Sequence, residues 1–358
     1  MPKDIRTQKL AQVIVDYSLR VKKHENVIIS GSTEAEPFIV ELFKAIILKG
    51  GHPILNIHLP GVDSFFYKFA KNHQIEKFPN HFDFQVKNAQ KYIGIDSEYN
   101  TRDLTGADSS KITKREKILD PIRNYIVNER NKIWRCSVAY PTVALAQEAE
   151  MSLDEYEDFV YRACLQNWMK LSNKNEKILK LIKKTKNVHL VGPGVDLKFK
   201  INGKMAKADS GEENMPGGEI YVAPEKLSLE GWIKFDYPAI RSGKEVLGIR
   251  LEFKKGRVIK YDATKNRDLL TEMLKTDKGS SYIGELGIGC NPKINKFTKN
   301  LLFDEKINGT IHLALGMADK DNGGGNDSAI HWDIVKDMKK GKIILDGKER
   351  QVRGAWKI

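Results

Sequence analysis

Cysteine is scarce in this 358-residue chain, and what there is does not pair. Cys136, Cys164 and Cys290 are odd in number, far apart and free of any C-x-x-C, so neither a disulfide framework nor a thiolate metal site is expected. Long apolar runs are missing too: nothing approaches the roughly 18–20 uninterrupted apolar residues that a membrane-spanning helix needs. The N-terminal stretch lacks the apolar core of a secretory leader. Leu10, Val13, Ile14 and Tyr17 are interleaved with Lys9, Gln12, Asp16 and Arg20, which is the pattern of an amphipathic helix. No repeat of fixed period and no low-complexity tract is present. These absences set the expectation of a reduced, cytoplasmic protein without a membrane partner.

What the chain has in excess is lysine. Sixty basic against 47 acidic residues give a formal charge of +13, which raises the question of a nucleic-acid partner. The densest basic run, Lys174, Lys177, Lys180, Lys183, Lys184 and Lys186, surrounds Ile178, Leu179, Leu181 and Ile182. That is one apolar stripe with a solvated basic face. No aromatic residues interleave with those lysines as a base-stacking surface requires, so no nucleic-acid partner is expected. With 41% hydrophobic and 30% charged residues the composition is that of a globular protein, and the length suits about two domains.

The first half alternates helix and strand. Leu10, Val13, Ile14, Tyr17 and Val21 keep helical spacing, and NVIIS (26–30) reads as a short buried strand. Thr33 and Glu36 have the spacing of a capping box. The helix it would open carries Ile39, Leu42, Phe43, Ile46 and Ile47 on one face and ends at Gly50-Gly51. HPILNIHL (52–59) returns as a strand. Strand, helix and strand in about 35 residues make a βαβ unit, so a parallel sheet is expected. A second box, Ser152-x-x-Glu155, opens a helix that turns Tyr156, Phe159, Val160, Ala163 and Cys164 inward.

The second half is punctuated by Asn202-Gly203, Lys255-Gly256, Asn308-Gly309 and Asp346-Gly347 between short alternating runs such as 195–200 and 246–253. Such pairs signal hairpins. The expectation is an α/β protein: an N-terminal α/β domain with a largely parallel sheet over 1–184, and a β-rich, mainly antiparallel domain over 185–358. Two glycine patterns are set aside. Gly192-Pro193-Gly194 lacks the third glycine and following helix of a dinucleotide site, and Gly323-Gly324-Gly325 lacks the lysine of a phosphate loop, so both read as turns.

The segment 308–337 is the most informative. GTIHLALG (309–316) is an apolar strand with His312 in its middle. A loop over 317–328 holds Asp319, Asp321, Asp327 and the three glycines, and AIHWD (329–333) follows. Residues two apart in a strand face one side, so His331 and Asp333 project together, and His312 joins them if the two strands lie side by side. Imidazole and carboxylate are typical ligands for zinc, cobalt or manganese. Glu219 leaves a Pro-Gly-Gly turn, and Glu285 sits in a glycine-rich apolar run with almost no polar company. A buried carboxylate needs a metal, a cation or a shifted pKa. Three carboxylates and two imidazoles suit two divalent metal ions about 3.5–4 Å apart that activate a water and polarise a carbonyl. Amide hydrolysis is the natural class; phosphoester hydrolysis and deamination stay open on composition alone.

NMPGGEIYVAPE (214–225), IGELGIGCNP (283–292), LLFDEKINGTIHLALG (301–316) and NDSAIHWD (326–333) resemble the thermophilic metalloprotease family that includes aminopeptidases T and S. Weaker likenesses run through 139–160 and 191–204, so the resemblance covers most of the chain in order. It implies that Glu219 is the first glutamate ligand and Glu285 the second, with Glu285 also the catalytic base. His312, His331 and Asp333 match the remaining ligands of a dinuclear site. It further implies removal of N-terminal residues from peptide substrates, an α/β domain followed by a catalytic domain, and a homodimer whose active site opens into an internal cavity. The family's catalytic tyrosine stands seven residues after the first histidine; that position here is Asp319, which joins Glu285 among the candidate catalytic residues. An ionised aspartate cannot donate to a developing oxyanion as a phenol can. Tyr221, Tyr282, a lysine or the metals would then fill that part. The other reading is a catalytically altered or inactive metal- or peptide-binding homologue.

Overall fold

The computed structural model describes residues 4–241 and 243–358. The chain forms two compact units. One runs to Gln166 and includes Gly211–Pro216; the other joins Asn167–Ser210 to Gly217–Ile358.

The first unit is built on a five-stranded sheet, in the order His52–His58, Asn26–Ser32, Lys91–Asp96, Trp134–Ala139, Asn214–Met215. Every pairing in it is parallel. This is the sheet the βαβ reading requires: Asn26–Ser32 pairs with His52–His58, and the helix Glu36–Leu48 makes the crossover. Val27, Ile28 and Ile29 are buried, as expected of a strand covered on both faces. The capping expectation at Thr33 is corrected. Ser32 is the cap, its hydroxyl accepting from Glu34 N, and it opens a single 3-10 turn, Thr33–Ala35, before the helix starts at Glu36. The box at Ser152 and Glu155 forms as read, and Tyr156, Phe159, Val160, Ala163 and Cys164 are buried. The amphipathic N-terminal segment is the helix Ile5–Val13, continued by the π turn Ile14–Ser18.

The second unit is β-rich. Its lysine-bearing helix, Trp168–Ile182, buries Leu171, Ile178, Leu179 and Ile182, with most of its lysines exposed. An eight-stranded sheet, a two-stranded ribbon and a five-stranded sheet follow. Their inward faces share a core that includes Leu190, Leu197, Ile233, Leu251, Ile288, Leu313 and Ile334. Two of the four glycine turns close hairpins: Lys255-Gly256 joins Arg250–Lys254 to Arg257–Asp262, and Asp346-Gly347 joins Lys342–Leu345 to Lys348–Val352. Asn202-Gly203 instead enters a 3-10 turn, Gly203–Met205, and Asn308-Gly309 leads into a strand whose sheet neighbours come from elsewhere. The run 246–253 is broken into Lys244–Val246 and Arg250–Lys254. Pro193-Gly194 is the tip of the hairpin between Asn187–Gly192 and Val195–Lys200.

The three cysteines are buried, and none of them is in a disulfide among the described residues. Among the described residues no helix is long and apolar enough to cross a membrane.

Candidate metal centre

The five-stranded sheet of the second unit runs His331–Asp337, Thr310–Gly316, Ile283–Gly289, Glu219–Val222, Lys207–Asp209, with all neighbours antiparallel. Side chains alternate between its faces. Ile220, Val222, Leu286, Ile288, Ile311, Leu313, Leu315, Trp332 and Ile334 form one face and pack into the core. The register brings the other residues together on the opposite face: Ala314 pairs with Asp333 on one side and Glu285 on the other, His312 pairs with Gly287, and Gly289 pairs with Glu219. The ladder slips by one residue between Ile283 and Glu285. Ile283 therefore pairs with core-facing Leu315, while Glu285, only two residues on, pairs with Ala314 on the opposite face. The bulge re-aims this carboxylate out of the core.

His312 is the centre of the cluster. Its Nε2 lies 3.4 Å from Glu285 Oε1, 3.7 Å from Glu219 Oε2 and 3.9 Å from Asp333 Oδ1. The imidazole occupies the space above Gly287, where a Cβ would stand 1.9 Å from both Cε1 and Nε2. His331 Nε2 is 3.5 Å from Asp333 Oδ2. Both rings are oriented by main-chain carbonyls: His312 Nδ1 donates to Glu305 O at 3.2 Å and His331 Nδ1 to Met317 O at 2.9 Å. A carbonyl can only accept, so the proton of each neutral ring is held on Nδ1 and the Nε2 lone pair faces the carboxylates.

Sequence reasoning passed over three members of this cluster. Glu305 brings a fourth carboxylate, and it groups with Glu219 and His312 as Glu285 groups with His312 and Asp333; the donor atoms within each triplet lie inside 4.8 Å of one another. Lys306, completely buried, pairs with Glu305 and stands 3.5 Å from Glu219 Oε1. Asn322, also completely buried, donates from Nδ2 to Glu285 Oε2 at 2.9 Å. Glu305 and Lys306 lie in a DEK sequence like any exposed turn; the neighbouring Phe303 and Ile307 anchor that turn in the interior, which buries Lys306 and leaves Glu305 half-buried. Asn322 gave no signal, since its place depends on the fold of the loop around it.

Asp319, by contrast, makes its side-chain hydrogen bond within the loop, accepting from Asp321 N at 2.9 Å. Tyr221 pairs in register with Gly287 and so shares the donor face. Tyr282 precedes the Glu285 strand and carries the Lys226 ammonium over its ring at 4.9 Å.

The electrostatics are those of a site short of positive charge. Burial, reinforced by Glu305, pushes the Glu219 carboxyl up to about 8, against the pull of Lys306 and His312. Burial would lower His312, but the Glu285, Asp333 and Glu219 carboxylates outweigh it and lift the imidazole to about 9. His331 is lifted to about 10 by Asp333 and Glu285, again against burial. Asp333 is drawn down to about 2 by the two imidazoles despite its burial. Lys306 is held above its ordinary value by the surrounding carboxylates, although burial opposes this. Four carboxylates thus face one lysine, and their excess charge favours added positive charge at the two imidazoles. Asp333 Oδ1 is buried and has no hydrogen-bond partner among the described residues. A buried carboxylate oxygen left this way is costly, and a cation among these donors would satisfy it. The mixture of imidazole nitrogens and carboxylate oxygens fits zinc, cobalt or manganese.

Comparison with known proteins gives a consistent result. Residues 3–355 match the model of the thermophilic metalloprotease (M29) family. Aminopeptidase AmpS of Bacillus subtilis (strain 168) is 27% identical, with 99% of each chain covered. Aminopeptidase T of Thermus thermophilus is 29% identical over 48% of this chain and 49% of its own. The structure of wild-type AmpT from Thermus thermophilus superimposes with a TM-score of 0.83 at 21% identity, covering 99% of both chains. The same architecture, at a TM-score of 0.60 and 14% identity, occurs in 2,5-dihydroxypyridine dioxygenase from Pseudomonas putida KT2440, over 98% of this chain and 96% of that one. The fold thus hosts more than one chemistry, and function has to be argued from the site.

Proposed function

The chain belongs to the thermophilic metalloprotease family, and from that premise we propose that it is an aminopeptidase, hydrolysing the first peptide bond of substrates with a free N-terminus. The observation that carries the reading is the convergence of two imidazoles and four carboxylates over one sheet face, with Asp333 Oδ1 lacking a hydrogen-bond partner among the described residues. In this reading Glu219, Glu285, His312, His331 and Asp333 hold two divalent metal ions, zinc, cobalt or manganese, and Glu305 is a sixth donor. The ions, when bound, supply an activated water and polarise the peptide carbonyl.

The chain's own groups do the rest. Glu285 accepts the proton of the attacking water and delivers it to the leaving amine, as a general base and then acid. His312 and His331 are held in one tautomer by the Glu305 and Met317 carbonyls, so their coordinating nitrogens need no reorganisation. Lys306 offsets the repulsion between Glu219 and Glu305 and keeps both carboxylates aimed inward. The reading includes a cytoplasmic homodimer acting on peptides, with neither nucleic acid nor membrane as a partner.

The test is an assay of the purified chain, with zinc, cobalt and manganese added in turn, on matched free and N-acetylated peptides. Release of the first residue from the free peptides alone, abolished by a chelator, supports the reading. A second reading, a metal- or peptide-binding homologue with altered catalysis, is favoured by one feature: Asp319 stands where the family carries its tyrosine. No release from a broad peptide panel with metals restored would overturn the first reading and support the second.

A further inference from the structure

The loop that departs from the family at Asp319 is organised around a different side chain. Asp319 Oδ1 accepts from Asp321 N at 2.9 Å and so caps the 3-10 turn Lys320–Asn322. Its carbonyl accepts from Asn322 N at 3.3 Å and from Gly324 N at 2.9 Å. Gly323 ends the turn in the left-handed region at φ +90°, which explains a glycine there. The turn is pinned from outside as well. Asn322 O accepts from Ala223 N at 3.1 Å, just beyond the Glu219 strand, and Lys207 on the edge strand pairs with Asp321 at 3.3 Å.

All of this delivers one group to the site, the Asn322 carboxamide. Its Nδ2 donates to Glu285 Oε2 at 2.9 Å, while Glu285 Oε1 faces His312 Nε2 at 3.4 Å. A carboxylate oxygen can only accept, so the NH2 end of the amide is the one turned to Glu285. The last torsion of a glutamate side chain is otherwise loosely set. Asn322 fixes it, so that one oxygen is committed to the loop and the other to the cluster.

We infer that Asn322 is the positioning residue for Glu285, and that Asp319 serves the reaction through Asn322, as the cap of the turn that carries it, rather than by its own charge. The inference rests on the functional reading above for the role of Glu285, and it assigns the loop a part that a tyrosine at the same position would not play.

The experiment is a set of variants of the full chain, each measured for divalent-metal affinity by competition with a chelator and for kcat and KM on a free peptide. Partners that orient ligands typically carry a factor of about 10–100 in metal affinity or activity. Asn322→Ala is expected to weaken zinc binding and lower kcat by that factor, with KM within about twofold of wild type. Asp319→Ala is expected to lose about fivefold in both, the size of a lost N-cap. Asp319→Asn keeps the cap and removes the charge, and is expected to recover most of that loss. Asp319→Asn falling as far as Asp319→Ala would overturn the inference, because charge and not capping would then matter. Asn322→Ala with wild-type affinity and kcat would overturn it as well. A wild type that binds zinc but releases no amino acid counts against the aminopeptidase reading alone, since the affinity series still decides the part played by Asn322. A wild type that binds no divalent ion overturns both.

Discussion

Gly287 and His312 face each other across adjacent antiparallel strands, and the imidazole of His312 fills the volume that any side chain at 287 would need. The relation is a direct steric one, and a single methyl tests it. Gly287→Ala forces His312 off the cluster, and a clash of this depth in a packed interior also costs about 1–3 kcal/mol. Metal affinity, titrated against a chelator, is expected to fall at least tenfold. Wild-type affinity in Gly287→Ala would show that His312 does not coordinate from this position.

Lys306 is the charge that lets Glu219 and Glu305 share a buried space. Removing one partner from a buried ionic group typically costs about 3–5 kcal/mol, since the other charge is left uncompensated. Lys306→Met should therefore be strongly destabilised in the metal-free chain. Divalent ions bound by the same carboxylates supply the missing positive charge, so saturating zinc is expected to narrow the gap from wild type. Denaturant unfolding with chelator and with zinc makes the comparison; an equal loss under both conditions would separate Lys306 from the metal site.

Much of this arrangement was legible in the sequence, because it depends on strand periodicity. His331 and Asp333 share a face by their two-residue spacing, His312 lies mid-strand, and the βαβ pattern of 26–59 gave the parallel sheet. What escaped depends on contacts distant in sequence. The slip at Gly284 that turns Glu285 toward the donors is set by the partner strand Thr310–Gly316, not by local composition. Lys306 is buried, and Glu305 half-buried, beside the anchored Phe303 and Ile307, and Asn322 reaches Glu285 across 37 positions through a capped turn. The misplaced cap at Thr33 has a simpler cause: Ser32 and Thr33 are both good caps, and a 3-10 turn precedes the helix.

Asp277 ties the approach to the Glu285 strand to the approach to the His331 strand. Its carboxylate accepts from Gly279 N, Ser280 N, Ala329 N and the Ser328 hydroxyl, at 2.7–3.0 Å. Partial burial works against the charged form, yet these donors outweigh it and hold the carboxyl below its usual range. A depressed carboxyl stabilises the fold above the unfolded pKa of about 3.9, and that contribution is lost as pH falls through the lower native value. Asp277→Asn is therefore expected to cost about 1–2 kcal/mol near neutral pH. The difference should shrink as the pH drops below about 4. Urea unfolding of both chains across that range tests this; a gap independent of pH would contradict it.

The central claim is that Glu219, Glu285, Glu305, His312, His331 and Asp333 form one dinuclear site. Elemental analysis of the purified chain, after exposure to zinc, cobalt and manganese in turn and removal of loose ions, tests it most directly. The account predicts about two tightly held divalent ions per chain, and fewer in a folded His331→Ala variant. A folded wild-type chain that retains none of the three metals would contradict it.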